Sequence, residues 1–220
     1  MGTLPRKQIL IGGLAAVVFV LIGAIVGLVV TSSGGVRSSS VRDLALQPSD
    51  LPNEFVLADE KHYSREELLA ELPAQSQLAE AGLKEAIHLS WETPGDVPTV
   101  IDVFVYAYED EASAGEAHSY LTGQDAAFEY LLRRVEGGSD RRSMTLGGGL
   151  AEDFGDDAYS MSGEMETEAG SKVAVGMYVM RFGSARAEVV VAGGGLSLEP
   201  DAVARDQYLR LKRPEALAAP

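Results

Sequence analysis

The 220-residue sequence contains no cysteine. This absence excludes disulfide bonds, thiolate metal sites, a cysteine nucleophile and a lipid attached through sulfur. Histidine is nearly as scarce, since His62, His88 and His118 are the only three and no H-E-x-x-H motif occurs. Glu85 and His88 have the spacing of a ligand pair, but they fall in a predicted strand whose successive side chains point to opposite faces. The sequence therefore predicts no metal site built on histidine.

Motifs for phosphate binding and for nucleophilic catalysis are also missing. The glycine runs at 147–149 and 193–195 complete neither G-x-G-x-x-G nor the Walker pattern, and no lysine follows them. We interpret both runs as turn glycines. No G-x-S-x-G turn is present. We therefore predict that the protein is not an enzyme and uses no cofactor.

Positive charge is in short supply. The chain has 18 basic and 33 acidic residues, for a net charge of −15. Without Arg6 and Lys7, the remaining 16 basic residues leave the rest of the chain at −17. Such a surface is repelled by phosphates, which excludes nucleic acid as a favourable partner and disfavours contact with anionic lipid.

Four carboxylates cluster around Phe154 and Gly155, namely Glu152, Asp153, Asp156 and Asp157. Calcium binds several carboxylate oxygens, so these residues are candidate calcium ligands. Their spacing is not that of an EF-hand loop, and solvent-exposed acidic residues are the preferred interpretation.

One long stretch lacks charge altogether. Residues 9–30 form an apolar run that reaches roughly 33 Å as a helix, enough to cross a hydrocarbon core of about 30 Å. A cleavable signal has a shorter apolar region, of roughly 7–15 residues. We predict a transmembrane helix at 9–30 that is retained, with late cleavage within residues 31–34 as the alternative.

The charges around this span predict its orientation. Arg6 and Lys7 stand directly before it, whereas Arg37 and Arg42 beyond it are offset by acidic residues. By the positive-inside rule, residues 1–8 form a cytoplasmic tail and everything after the span lies outside the cell membrane.

Small residues recur on one side of the predicted span. Gly12, Ala16, Gly23 and Gly27 share that side, and the last two form a GxxxG motif. Small residues let two membrane helices approach closely, so these four are candidates for self-association of the span. The alternative, which we prefer, is the ordinary composition of a membrane helix.

The rest of the chain reads as one α+β domain at 44–213, between a Ser/Gly-rich flexible stalk at 31–43 and a disordered tail at 214–220. The predicted order is helix, two strands, helix, three strands and helix, with an antiparallel sheet packed against helices. Ser64 and Glu67 form a capping box at the first helix. Residues 136–156 are predicted to be a long loop that is either functional or disordered.

Alternation predicts which side chains of the strands are buried. In the strand at 99–108, Ile101, Val103, Val105 and Ala107 face one way and Phe104, Tyr106 and Tyr108 the other, which indicates a central strand. Residues 159–166 alternate in the same way, with Tyr159, Met161, Gly163 and Met165 facing inward. Val103 and Val190 are both expected to be buried.

Short motifs in the C-terminal third resemble a class of bacterial extracytoplasmic domains. These are Gly155-Asp156-Asp157-Ala158, the strand residue Arg181, the run Val189 to Val191 and the helix after Pro200. The class includes actinobacterial lipoproteins and sensor domains of membrane serine/threonine kinases. The resemblance implies a Mog1/PsbP-like α/β/α sandwich with a ligand-sensing role. The chain departs from the disulfide-bonded and lipid-anchored members in having no cysteine.

Together these features predict a single-pass membrane protein with an outward domain that binds an unidentified ligand or protein of the cell envelope. One alternative is a structural or partner-binding envelope subunit without a small ligand. An extracytoplasmic hydrolase is a third and less favoured one, which a buried serine/histidine/acid or histidine/acid cluster would support.

Overall fold

A computed structural model describes residues 41–71, 76–95, 98–119, 144–151, 154, 158–166, 172–193 and 198–212. No helix within these ranges is long and apolar enough to cross a bilayer. The predicted tail at 1–8, the span at 9–30 with Gly12, Ala16, Gly23 and Gly27, and the C-terminal tail at 214–220 lie outside the described residues.

The described residues form one seven-stranded sheet in which every neighbouring pair is antiparallel, in the order β1-β2-β3-β7-β6-β5-β4. The strands are β1 (Val56–Ser64), β2 (Leu83–Glu92), β3 (Val100–Tyr108), β4 (Met144–Leu150), β5 (Tyr159–Glu166), β6 (Lys172–Phe182) and β7 (Ala185–Gly193). The predicted α+β class with an antiparallel sheet is confirmed.

Helices cover both faces of the sheet. The helices are α1 (Arg65–Glu71), α2 (Ser76–Glu80), α3 (Glu111–Ser119) and α4 (Pro200–Leu211), with 3-10 turns at Val41–Leu44 and Pro48–Asp50. Helix α4 and the 3-10 turns pack on what we call the α4 face, and α1, α2 and α3 pack on the opposite, α1–α3 face.

Strand β3 belongs to both hydrophobic cores, as its alternation predicts. Ile101, Val103 and Val105 lie in the core of the α4 face, whereas Phe104 and Tyr106 lie in that of the α1–α3 face. All five are nearly inaccessible to solvent. Because both faces of the strand are apolar, a layer of helices on one side alone would leave the other exposed to water.

Val190 departs from the prediction of burial. It is half-buried, whereas its neighbours Val189 and Val191 are fully buried on the α4 face. A run of three valines must place its middle member on the opposite face, because side chains alternate along a strand. Val103, the other residue expected to be buried, is fully buried as predicted.

The two edge strands were not predicted. β1 is largely exposed and charged, with the sequence VLADEKHYS, so no apolar alternation marks it. β4 lies within the predicted loop at 136–156 and includes Gly147–Gly149, which are therefore strand glycines rather than turn glycines. A Cβ at Gly148 would lie 2.6 Å from the backbone oxygen of Ser160, so this pairing requires a glycine.

The predicted capping box at the start of the first helix is confirmed. The backbone N–H of Ser64 donates to Glu67 Oε2 over 2.8 Å, and the Ser64 hydroxyl accepts from the backbone N–H of Glu67 over 3.2 Å. The backbone hydrogen bond from Ser64 lowers the pKa of the Glu67 carboxyl. Gly183, at φ +56, lies in the turn between β6 and β7.

The N-terminal segment is fastened to α4 by the buried side chain of Gln207. Its Oε1 accepts from the backbone N–H of Leu46 over 3.0 Å, and its Nε2 donates to the backbone oxygen of Leu44 over 2.7 Å. Val41 is also buried, so the domain begins at least three residues before the predicted boundary at 44, and residues 41–43 belong to the domain rather than to the predicted flexible stalk at 31–43. The difference arises because the side chains of Val41 and Leu44 pack in the hydrophobic core of the α4 face.

A second link joins the same elements. Both oxygens of Asp50 accept hydrogen bonds from Arg210 of α4, over 2.6 and 2.7 Å. Such a bidentate pair holds its two planes in a defined orientation. The segment before β1 is therefore held by a neutral amide at one point and by an ion pair at another.

Changing Val103 to aspartate should abolish folding. The substitution places a charge in the centre of the α4-face core, at a cost on the order of 5 kcal/mol or more, which is comparable to the stability of an ordinary domain. Thermal unfolding by circular dichroism measures it. Val56→Asp is the matched control, because Val56 is 54% exposed and should tolerate the same substitution. If the Val103→Asp protein folded cooperatively, this would contradict the burial of β3 on both faces.

Changing Gln207 to alanine should lower the free energy of unfolding by about 3 kcal/mol, because two buried backbone groups lose their partner. Chemical denaturation gives the value. Arg205→Ala on the exposed side of the same helix should change it by about 0.5 kcal/mol or less. Equal effects of the two substitutions would show that the N-terminal segment does not depend on Gln207.

Candidate functional site

Three rows of side chains cross the α1–α3 face, because antiparallel partners in register lie side by side on one face. The first row is Tyr63, Ala86, Tyr106, Arg186 and Arg181, the second is Lys61, His88, Phe104, Glu188 and Val179, and the third is Asp59, Ser90, Asp102, Val190 and Met177. Most polar side chains of these rows belong to β1, β2, β3 and β7. Two groups stand out within them, a charged pair and a histidine cluster.

The charged pair is Arg186 and Glu188 of β7. Arg186 Nη1 lies 2.6 Å from Glu188 Oε1, and both side chains are fully buried. The guanidinium also lies 5.2 Å from the centre of the Tyr106 ring, within the range of a cation–π contact. A charge removed from water requires such partners, since its desolvation costs several kcal/mol.

The alternation of β7 explains why these charges point where they do. Ala185, Ala187, Val189 and Val191 all face α4, so the residues between them must face the opposite side. The alternation of alanine with Arg186 and Glu188 was the sequence signal for this pair, and our sequence analysis missed it. Because this charged pair lies in the middle of a strand that is buried on both faces, we expect it to contribute either to packing or to binding.

The buried environment also affects Tyr108. Burial raises the pKa of its hydroxyl to about 12, the nearby Arg186 opposes this rise, and Glu188 adds to it. The phenol is therefore neutral at physiological pH, and its ring packs in the hydrophobic core of the α1–α3 face.

The histidine cluster contains His88, Asp102 and Asp59, one from each of β2, β3 and β1. His88 Nε2 lies 3.1 Å from Asp102 Oδ1, and His88 Nδ1 lies 3.8 Å from Asp59 Oδ2. The imidazole is stacked on Phe104, with the ring centres 4.2 Å apart. His88 is 6% exposed, while the Asp59 side chain is 48% exposed, so the cluster extends from the core to the surface.

The Nδ1 atom of His88 is buried, and no hydrogen-bond partner for it lies among the described residues. Asp59, at 3.8 Å, is beyond hydrogen-bonding distance. A buried polar atom without a partner is rare in folded proteins and calls for a specific explanation. The hydrogen-bonding capacity of Nδ1 is therefore unused among the described residues, next to the half-exposed carboxylate of Asp59.

The same face contains a serine close to this histidine. Ser90 is two residues along β2 from His88 and is the cross-strand neighbour of both Asp59 and Asp102. The structure thus brings together a histidine, a serine and two acids that are far apart in sequence. Both imidazole nitrogens, however, face carboxylates, which differs from a nucleophilic triad, where one nitrogen contacts the serine.

The calcium candidates Glu152, Asp153, Asp156 and Asp157 lie outside the described residues. Within the described part of the chain, no group of three or more histidine and acidic side chains is arranged to hold a metal ion.

Phe154, in the middle of those candidates, is described and anchors the connection between β4 and β5. It is buried, and its ring contacts Tyr178 and Tyr208 edge-on at 5.9 and 6.3 Å. The backbone N–H of Ala151 donates to the Ala158 oxygen over 2.9 Å and closes the connection at its base. Phe154 and Ala158 therefore both pack in the core of the α4 face.

No protein-family model matches the chain, and no curated protein shows significant similarity to it. Its fold is similar to the crystal structure of the extracellular domain of PknH from Mycobacterium tuberculosis, with a TM-score of 0.53 and 9% sequence identity. The match covers 81% of this chain and 95% of that one. At this identity the likeness shows the fold alone, and it agrees with the α+β fold expected from the resemblance to extracytoplasmic domains. The Mog1/PsbP-like part of that resemblance stays a prediction.

Replacing Glu188 by glutamine should destabilise the domain by about 3–5 kcal/mol, because the buried guanidinium of Arg186 loses its carboxylate. Denaturation measured by fluorescence gives the difference. Glu71→Gln, in the largely exposed pair with Lys61, should cost about 1 kcal/mol or less.

A second variant separates charge from packing at this pair. Arg186→Met combined with Glu188→Leu removes both charges and should recover most of the stability lost in the single variant. If Glu188→Gln alone changes the free energy of unfolding by less than about 1 kcal/mol, the buried carboxylate is not required to stabilise Arg186 on this face.

Proposed function

We propose that the protein is a single-pass membrane protein whose domain faces the outside and acts as a binding or sensor-like module. The observation that supports this most is the fold shared with the extracellular domain of PknH along 81% of the chain. The uncharged run at 9–30, with Arg6 and Lys7 before it, supports the anchor and its orientation. The bilayer is then the first partner, and any self-association runs through Gly12, Ala16, Gly23 and Gly27.

The binding side in this proposal is the part of the α1–α3 face around His88. The helices α1, α2 and α3 pack over the aromatic end of that face, at Tyr63, Phe104 and Tyr106. Asp59 and Val190, in the third row, are partly accessible. A ligand on this surface contacts the carboxylate oxygens of Asp59 next to the apolar side chain of Val190. Binding of this kind requires no covalent chemistry.

One observation favours a second candidate, the extracytoplasmic hydrolase. His88, Asp102 and Ser90 share one face, which is the type of cluster that supports such an activity. We prefer binding because the imidazole nitrogens face two acids rather than the hydroxyl. A partner-binding subunit without a small ligand remains the main alternative, and a ligand titration separates the two.

The outward orientation is tested by protease access. Protease added to intact or wall-stripped cells should digest the domain, since residues beyond 30 lie outside in this proposal. A tag placed before Arg6 should stay protected until the membrane is broken, and it serves as the internal control. Digestion of the domain only after membrane rupture would overturn the orientation.

A further inference from the structure

The position beside His88 Nδ1 has a defined chemical preference. When Nε2 carries the proton and donates it to Asp102, Nδ1 presents a lone pair, and Asp59 presents carboxylate oxygens 3.8 Å away. In this neutral tautomer the two acceptors repel each other, and either a proton on Nδ1 or an added group with hydrogen-bond donors relieves the repulsion. The site therefore favours a donor, and its carboxylates favour a positive one.

The basic side chain next to His88 across β1 and β2 contacts other groups. Lys61 is the cross-strand neighbour of His88, but its ammonium binds Glu71 of α1 and lies 5.0 Å from the centre of the Tyr63 ring. Asp59 and Asp102 lie on the third row, one row away from Lys61. Ser90, between them, adds a hydroxyl on the same face.

We propose that Asp59, His88 and Ser90 form a binding site for the primary ammonium group of a small diffusible amine, a proposal that rests on the binding function above. The ammonium donates one hydrogen bond to His88 Nδ1 and another to Asp59, which is exposed enough to admit it. Asp102 acts as a positioning residue, because its bond to Nε2 selects the tautomer that leaves Nδ1 as an acceptor.

Ammonium fits better than the other cations. A divalent metal requires several ligands around one point, whereas Asp59 and Asp102 lie at different nitrogens of the imidazole. A quaternary ammonium has charge but no N–H, so it cannot satisfy Nδ1. The requirement for a donor therefore distinguishes this site from a merely acidic surface.

Nitrogen NMR of the full-length chain in detergent micelles, with 15N-labelled histidine, tests the proposal. The chain has only three histidines, so substitution of each one assigns the spectrum. Methylammonium at constant pH should shift the Nδ1 resonance of His88 and leave that of the exposed His62 unchanged. Tetramethylammonium, with the same charge and no donor, should leave both unchanged.

The variants follow from the same geometry. Asp59→Asn should weaken the apparent affinity for methylammonium about tenfold, since a charge-assisted hydrogen bond becomes a neutral one. Glu60→Gln is the matched control, because Glu60 is the next residue of β1 and faces the α4 side. Circular dichroism verifies that both variants fold.

Equal shifts with methylammonium and tetramethylammonium, or no shift of His88 with methylammonium, would overturn the ammonium site. A shift with acetate instead would also overturn it, but would leave the proposed binding function standing. Failure of the protease test would overturn the outward location and leave the NMR result unaffected.

Discussion

The architecture depends on the double burial of β3. With Ile101, Val103 and Val105 on one face and Phe104 and Tyr106 on the other, this strand needs apolar cover on both sides. The chain has no disulfide to compensate for an incomplete core, so burial of apolar surface must supply its stability. The three-layer arrangement follows, with α4 and the N-terminal segment on one side and three short helices on the other.

This constraint also explains which elements were predictable. The interior strands β2, β3, β5, β6 and β7 are marked by dense or alternating apolar residues, and the capping box at Ser64 marks a helix start. The edges β1 and β4 escaped prediction because an edge strand is solvated on one side and is often rich in charge or glycine. Val190 was misplaced for a related reason, since a run of valines does not show which member points where.

The candidate site was less predictable than the fold. The separation of His88 and Asp102 is 14 residues, and only the β2–β3 register, which depends on the turn between the strands, makes them neighbours. The burial of Arg186 and Glu188 also depends on the helices that cover their face of the sheet. The sequence of β7 alone does not show that cover. Glu85 and His88 lie on opposite faces, as the strand period predicts, but no spacing in the sequence indicated which acids would lie beside His88. The partner of a histidine across strands has no spacing rule in the sequence.

The two hydrogen bonds of Gln207 affect how the domain responds to a pulling force. The chain enters the domain at Val41, and within a few residues it is tied to α4, an element from the other end of the sequence. Tension applied to the segment before Val41 is therefore transmitted through two amide hydrogen bonds and the Asp50–Arg210 pair into a helix packed on β6 and β7. A pull applied before Val41 is therefore resisted by the last helix of the domain before it reaches the first strand.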